Sequence, residues 1–132
     1  MPTGGCHCGA IRYEVRGEPD YSALCHCSDC RKSAGAPMVG WALFPQDQVA
    51  ITGDPVRYQS SAMAERMFCG VCGTGLFYLN STVFPGKIDI QLSTLDDPNA
   101  FPPAIHVQFA EAAAWMEDAG KLPKFARYPG GE

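Results

Sequence analysis

Through much of the chain apolar residues recur at every second position. In Ala10–Arg16 the side chains of Ile11, Tyr13 and Val15 fall on one side, and Arg12, Glu14 and Arg16 on the other. This is the two-residue period of a half-buried strand. Lys87–Ser93 repeats it, with Ile88, Ile90 and Leu92 inward. Further strands are predicted over 38–44, 49–52, 56–59, 64–69, 75–79 and 105–109. Turn signals separate them at Gly53-Asp54-Pro55, Phe84-Pro85-Gly86 and Asp96-Asp97-Pro98-Asn99. Helix is scarce. Ser28 is placed to cap one turn over 29–33 that ends near Gly35, and the alanine-rich 110–119 is a second helical candidate without a clean apolar stripe. Short strands at this spacing predict an all-β fold in a single domain spanning residues 1–132.

Composition supports that reading and narrows the partners. Among 132 residues, 46% are hydrophobic, enough for a modest core, while 14 glycines and 11 prolines favour turns over long helices. The formal charge is −4. Such a chain has no general attraction for nucleic acid or for an anionic membrane surface. Polar residues and prolines interrupt every apolar run well short of the roughly 20 residues of a membrane span. The start, Met-Pro-Thr-Gly-Gly-Cys, lacks the basic and apolar regions of a signal peptide, which predicts a cytoplasmic protein whose thiols stay reduced.

Those thiols carry the candidate chemistry. Seven cysteines form three clusters, Cys6-x-Cys8, Cys25-x-Cys27-x-x-Cys30 and Cys69-x-x-Cys72. On extended chain, residues two apart point to one face, so Cys6 and Cys8 can pinch one ion with His7 set aside, and Cys25 and Cys27 another with His26 set aside. Cys69-Gly-Val-Cys72-Gly reads as a tight turn that brings both sulfurs to one ion. An odd number of cysteines in separated pairs points to metal rather than to disulfides. With seven ionised thiols and two Zn²⁺ ions, the formal charge of −4 becomes −7.

Two groupings are open. Cys27/Cys30 and Cys69/Cys72 can form a zinc ribbon that leaves Cys6, Cys8 and Cys25 over, with 38 residues between the pairs. Alternatively, Cys25, Cys27 and Cys30 share one loop, and Cys6/Cys8 join Cys69/Cys72. The second is preferred, because one loop giving three ligands leaves its ion open to a substrate, while four ligands from distant segments close the fold.

Other residue types add less. Arg31 and Lys32, beside Cys30, are candidates for holding a substrate carboxylate, or else they offset thiolate charge. His7, His26 and His106 read as structural or surface residues, and Trp41, Phe44, Phe77, Tyr78 and Trp115 as core more than as pocket walls. No serine sits in a nucleophile-elbow context.

Gly5-Cys-His-Cys-Gly9 with Ile11-Arg-Tyr13, Cys25-His-Cys-Ser-Asp-Cys-Arg-Lys-Ser-Ala-Gly35 and Phe68-Cys-Gly-Val-Cys-Gly-Thr74 resemble the glutathione-dependent formaldehyde-activating enzyme family, also called the CENP-V/GFA domain. The likeness extends to Trp115 and Leu122-Pro-Lys-Phe125. It implies an Mss4-like fold of twisted antiparallel sheets. It also implies two Zn²⁺ ions per chain, a structural one on Cys6, Cys8, Cys69 and Cys72 and a catalytic one on Cys25, Cys27 and Cys30. The implied activity is that of a carbon–sulfur lyase acting on an adduct of glutathione or another small thiol with an aldehyde, as in forming or cleaving S-hydroxymethylglutathione. The rival implication is a non-catalytic, zinc-stabilised module that binds protein partners.

Overall fold

Ten short strands, one helix and several 3₁₀ turns build the protein in a computed structural model that describes residues 1–131. The strands are β1 (Thr3–Gly5), β2 (Arg12–Val15), β3 (Tyr21–Cys25), β4 (Val39–Pro45), β5 (Val49–Thr52), β6 (Val56–Gln59), β7 (Ala64–Phe68), β8 (Gly75–Asn80), β9 (Lys87–Gln91) and β10 (Ile105–Val107), and the helix is α1 (Ser28–Ala34). Two open sheets result. The smaller has the order β1-β2-β5, and the larger β10-β3-β4-β9-β8-β7-β6. Neighbours are antiparallel, as expected, with the one short pair β10 and β3 running parallel.

The predicted alternation decides how the sheets pack. Ile11 and the β2 residues Tyr13 and Val15 are buried, and they meet Ala42 and Phe44 of β4, Ile88 and Ile90 of β9 and Phe77 of β8 from the larger sheet. Tyr13 sets its ring edge against Phe77 at 5.4 Å, and Phe44 meets Phe101 at 5.3 Å. Burial of each large side chain contributes about 1.5–3 kcal/mol. Between Met67 and Phe68 the register slips, and the extra β8 residue lets both Leu76 and Phe77 join the core.

Three local expectations change. Strands β1 and β3 were not predicted; the first is three residues with two glycines, and the second lacks clean alternation because Ser22 and Ala23 are both buried. Helix α1 begins one residue earlier than expected, and its cap is Cys27, not Ser28: the Cys27 Sγ accepts the Cys30 N–H at 3.2 Å. Gly35 ends the helix as predicted, in the left-handed region at φ 64°. The alanine-rich stretch folds as 3₁₀ turns over Phe109–Glu111 and Ala114–Lys121 rather than as an α-helix, as its missing apolar stripe allows. No helix among the described residues is long and apolar enough to cross a membrane.

Gly4 fixes the approach of the first cysteine pair. It bridges to Leu95, and a Cβ there would stand 2.3 Å from the Tyr13 hydroxyl and 2.6 Å from the Thr94 carbonyl. The Tyr13 ring is locked by its hydrogen bond to Thr94 Oγ1 at 2.7 Å, so it cannot retreat freely. Gly4→Ala is therefore expected to cost about 1–3 kcal/mol, the usual range for overpacking, read as an unfolding midpoint moved to lower denaturant. An unchanged midpoint would show that β1 yields without cost.

Candidate metal centres and the cavity above Cys30

Two sets of thiols converge. Cys6 and Cys8 lie in the turn from β1 to β2, Cys69 and Cys72 in the turn from β7 to β8, and within this foursome all ligand atoms lie within 4.8 Å of one another. The Sγ atoms of Cys6 and Cys8 are 3.6 Å apart, and those of Cys8 and Cys69 3.7 Å. A disulfide needs about 2.05 Å. A tetrahedral zinc site with Zn–S bonds near 2.3 Å places its sulfurs about 3.8 Å apart, which these separations fit. Backbone N–H groups of Ile11, Val71 and Cys72 donate to Cys6 and Cys69 Sγ at 3.2, 3.4 and 3.5 Å, the contacts that stabilise thiolates. Gly73, at φ 83°, turns the chain so that its N–H reaches the Cys69 carbonyl at 2.8 Å. Hydrogen bonds from Thr74, foremost that of its hydroxyl, bring Cys72 down to about 5. The grouping preferred from sequence is the one the fold brings together, and the ribbon pairing is not.

Cys25, Cys27 and Cys30 form the second set, at the end of β3 and the start of α1. No fourth Cys, His, Asp or Glu joins them among the described residues. A hydrogen bond from Cys25 and then one from Cys27 hold Cys30 down at about 5 with help from Arg66, and Cys25 is pushed up in return. The donor set suits a soft divalent ion such as zinc.

Above this set lies a cavity of about 490 Å³, lined in part by Cys25, Cys27, Cys30, Trp41, Tyr78 and Arg66. Strand register explains its composition. Tyr21, Leu43, Asp89, Tyr78 and Arg66 are directly paired across β3, β4, β9, β8 and β7, so they share one face of the larger sheet. The opposite face carries the core row Ala42, Ile90, Phe77 and Met67. The face that alternation assigns to solvent is here the floor of a cavity.

Arg66 and Asp89 are the charged residues that sequence reasoning missed. The Arg66 guanidinium lies 4.8 Å from the Tyr78 ring centre, and its Nη atoms point to Cys30 Sγ at 3.8 and 4.0 Å. Asp89 is only 5% exposed, its Oδ1 has no partner, and burial together with the Cys30 charge pushes it up to about 7. Both sat among polar strand positions indistinguishable from solvent-facing ones. Arg31 and Lys32 lie elsewhere: they flank a separate shallow depression with Trp115, and Arg31 Nε donates to the His26 carbonyl at 3.1 Å.

The remaining candidates divide. His26 is fully buried, its Nε2 is 2.9 Å from His106 Nδ1, and Phe109 packs edge-on at 4.9 Å. Burial, then the electrostatic influence of His106, lowers its pKa. His7 is exposed, and neither ring joins a cluster. Of the aromatics, Phe44 and Phe77 are core as expected, Trp41 and Tyr78 line the cavity, and Trp115 is 59% exposed.

Fold and sites together define a β-sheet protein with one four-thiol and one three-thiol centre, both able to hold metal ions. A match of residues 1–111 to the model of the glutathione-dependent formaldehyde-activating enzyme family shows that the chain belongs to that family. An uncharacterized lyase of Schizosaccharomyces pombe is 29% identical over 112 residues, which covers 74% of this chain and 82% of that one. A Halomonas elongata protein named "Putative glutathione-dependent formaldehyde-activating enzyme" is 29% identical over 140 residues, covering 96% and 87%. The crystal structure of a Rhodobacter sphaeroides protein, 23% identical, superposes with a TM-score of 0.63 over 79% of this chain and 98% of its own, and it shares the fold.

The two centres differ in what they connect. Cys8 and Cys69 stand 61 residues apart, so their cluster ties the smaller sheet to the β7–β8 turn, whereas Cys25–Cys30 is a local loop. Loop-closure entropy grows with separation, and metal affinity adds directly to folding free energy. In metal-loaded protein, Cys72→Ser is expected to lower stability well beyond the about 1 kcal/mol of an average substitution, and Cys27→Ser much less. Equal shifts of the thermal midpoint in the two variants would remove the distinction.

Proposed function

We propose that this chain makes or breaks a carbon–sulfur bond between a small thiol and an aldehyde, glutathione and formaldehyde being the pair in the family's name, and that the work is done at Cys25, Cys27 and Cys30. The observation that carries the reading is the three-sulfur set itself, which has no fourth protein ligand among the described residues and lines a cavity of about 490 Å³. Structural zinc sites fill all four positions with protein, and catalytic ones leave a position free. Zinc on these thiolates supplies Lewis acidity that lowers the pKa of a neighbouring thiol toward neutrality. The thiol sulfur bonds to the aldehyde carbon, the carbonyl electron pair moves to oxygen, and the proton lost by the thiol ends there; cleavage reverses each change.

The chain's own side chains prepare that chemistry. Arg66 offsets the charge of Cys30 from 3.8 Å, and the Tyr78 ring beneath it keeps the guanidinium aimed. Trp41 and Tyr78, with ring centres 5.9 Å apart, give the cavity an aromatic wall. The seven cysteines are free, which agrees with a reducing, cytoplasmic setting. The reading treats residues 1–132 as one domain, supported by the pairing of β10 with β3 and by the clasp of Cys6 and Cys8 on Cys69 and Cys72.

The four-thiol set would be structural and the three-thiol set catalytic, giving two zinc ions per chain. Native mass spectrometry of protein purified without chelator is expected to show both. A reproducible maximum of one in folded protein would reject the two-site assignment.

Cobalt substitution tests the function directly. Glutathione or another small thiol added to cobalt-loaded protein is expected to change the sulfur-to-cobalt charge-transfer bands, and more strongly as pH rises, because the entering thiol must lose a proton. Cys27→Ser should abolish the change. The second reading, a zinc-stabilised binding module, draws on the exposed Trp115, Leu122, Phe125 and Tyr128 in the C-terminal segment. A spectrum silent to every thiol, with cobalt held at the three-cysteine site, would favour it.

A further inference from the structure

The cavity has a charge pattern of its own. Asp29, Asp89 and Glu111 line it with the three cysteines, and among the described residues Arg66 is its one cationic lining residue. Arg66 is already engaged, stacked on Tyr78 and directed at Cys30. Lys87, on the same strand as Asp89, pairs instead with Asp20 at 2.7 Å. Even when a divalent ion and Arg66 are set against three thiolates and the carboxylates of Asp29 and Glu111 alone, the cavity stays negative. Glu111 is partly satisfied by the Ser28 N–H at 2.9 Å, and Asp29 is exposed. Asp89 is neither: it is 5% exposed, and its Oδ1 has no hydrogen-bond partner. An unpaired carboxylate held away from water is costly, and that cost falls when a bound ligand brings a positive donor.

The aromatic lining points the same way. Tyr21, Trp41 and Phe84 border the cavity beside Asp89, and the Trp41 face is not stacked by Arg66. Aromatic faces attract cations through their quadrupole. Glutathione carries two carboxylates and one ammonium, and among the described residues the cavity lining offers no free cation for either carboxylate.

We propose that Asp89 and the aromatic wall form an ammonium subsite, so that the cavity selects adducts of small amino-thiols over those of carboxylate-bearing thiols such as glutathione. The inference rests on the thiol reading of the Cys25, Cys27 and Cys30 centre and narrows its substrate class. Asp89 acts here as a binding residue through its charge, as part of the cavity lining.

Three thiols of nearly equal length that differ in terminal charge test this: cysteamine, mercaptoethanol and mercaptopropionate. Binding is read from the fluorescence of Trp41 in zinc-loaded protein carrying Trp115→Phe, so that Trp41 is the sole reporter. Cysteamine is expected to bind at least about tenfold more tightly than mercaptopropionate, with mercaptoethanol between and glutathione on the weak side. Because cysteamine is also the more acidic thiol, the deciding quantity is the change on substitution. Asp89→Asn should shrink the cysteamine-to-mercaptopropionate ratio about tenfold and leave mercaptoethanol nearly unmoved, while Asp89→Glu should retain the preference. A ratio unchanged in Asp89→Asn overturns the subsite. Mercaptopropionate or glutathione binding wild type as tightly as cysteamine overturns it whatever the variants do. If no thiol binds metal-loaded protein at all, the thiol reading itself fails and takes this inference with it, an outcome distinct from binding in the wrong order.

Discussion

The two-residue period of four adjacent strands governs this molecule, because β4, β9, β8 and β7 must serve two interiors at once. Ala42, Ile90, Phe77 and Met67 form one continuous row that packs on the smaller sheet. Their alternates, Leu43, Asp89, Tyr78 and Arg66, form the row beneath the cysteine-lined cavity. A one-residue slip of β9 would put Asp89 in the core and Ile90 beneath the cavity, and a slip of β7 would put Arg66 in the core in place of Met67. Register is thus set from both faces, and the rigidity of the packed core passes to the site residues through their own backbone.

That double duty explains what the sequence could and could not disclose. The strand Lys87–Gln91 was legible because Ile88 and Ile90 alternate with polar residues, yet the same alternation hid Asp89. Alternation separates two faces; it does not say whether the polar one meets water or a second enclosed space. Arg66 was hidden likewise on β7. The cysteines were legible because their chemistry is written in spacing, down to the grouping of Cys6 and Cys8 with Cys69 and Cys72. Arg31 and Lys32 drew attention by adjacency to Cys30 in sequence, but α1 turns them toward the Trp115 side, and the cation that reaches Cys30 arrives from a strand 36 residues away. The Cys27 cap was obscured because Ser28 is the better generic capping residue, whereas here a thiol near the helix start fills that role.

The two thiol centres use one ligand type for opposite ends. At the first, turns at Gly9 and Gly73, with φ 84° and 83°, bring N–H groups and four sulfurs around one point, and the partners come from segments 61 residues apart. Its contribution is topological: it joins the smaller sheet to the β7–β8 turn of the larger one. At the second, three sulfurs come from six consecutive residues and close almost no chain. Its geometry therefore adds little to global stability and leaves one side of the cluster facing a cavity.

An exposed thiolate cluster in a cavity must be balanced, and the balance found here is incomplete. Arg66 answers Cys30, and Tyr78 holds Arg66 in place, but the same sheet face presents Asp89 two strands away with a buried oxygen that no described residue satisfies. Native interiors pair the great majority of their buried polar atoms, because a lost hydrogen bond to a charged group costs more than most single contacts return. A buried carboxyl in the lining of a cavity that already carries negative charge is, in the proposed ammonium subsite, half of an interaction whose other half arrives with the ligand. Its position on the strand that supplies Ile88 and Ile90 to the core means that the opening is held by the fold and cannot collapse to satisfy itself.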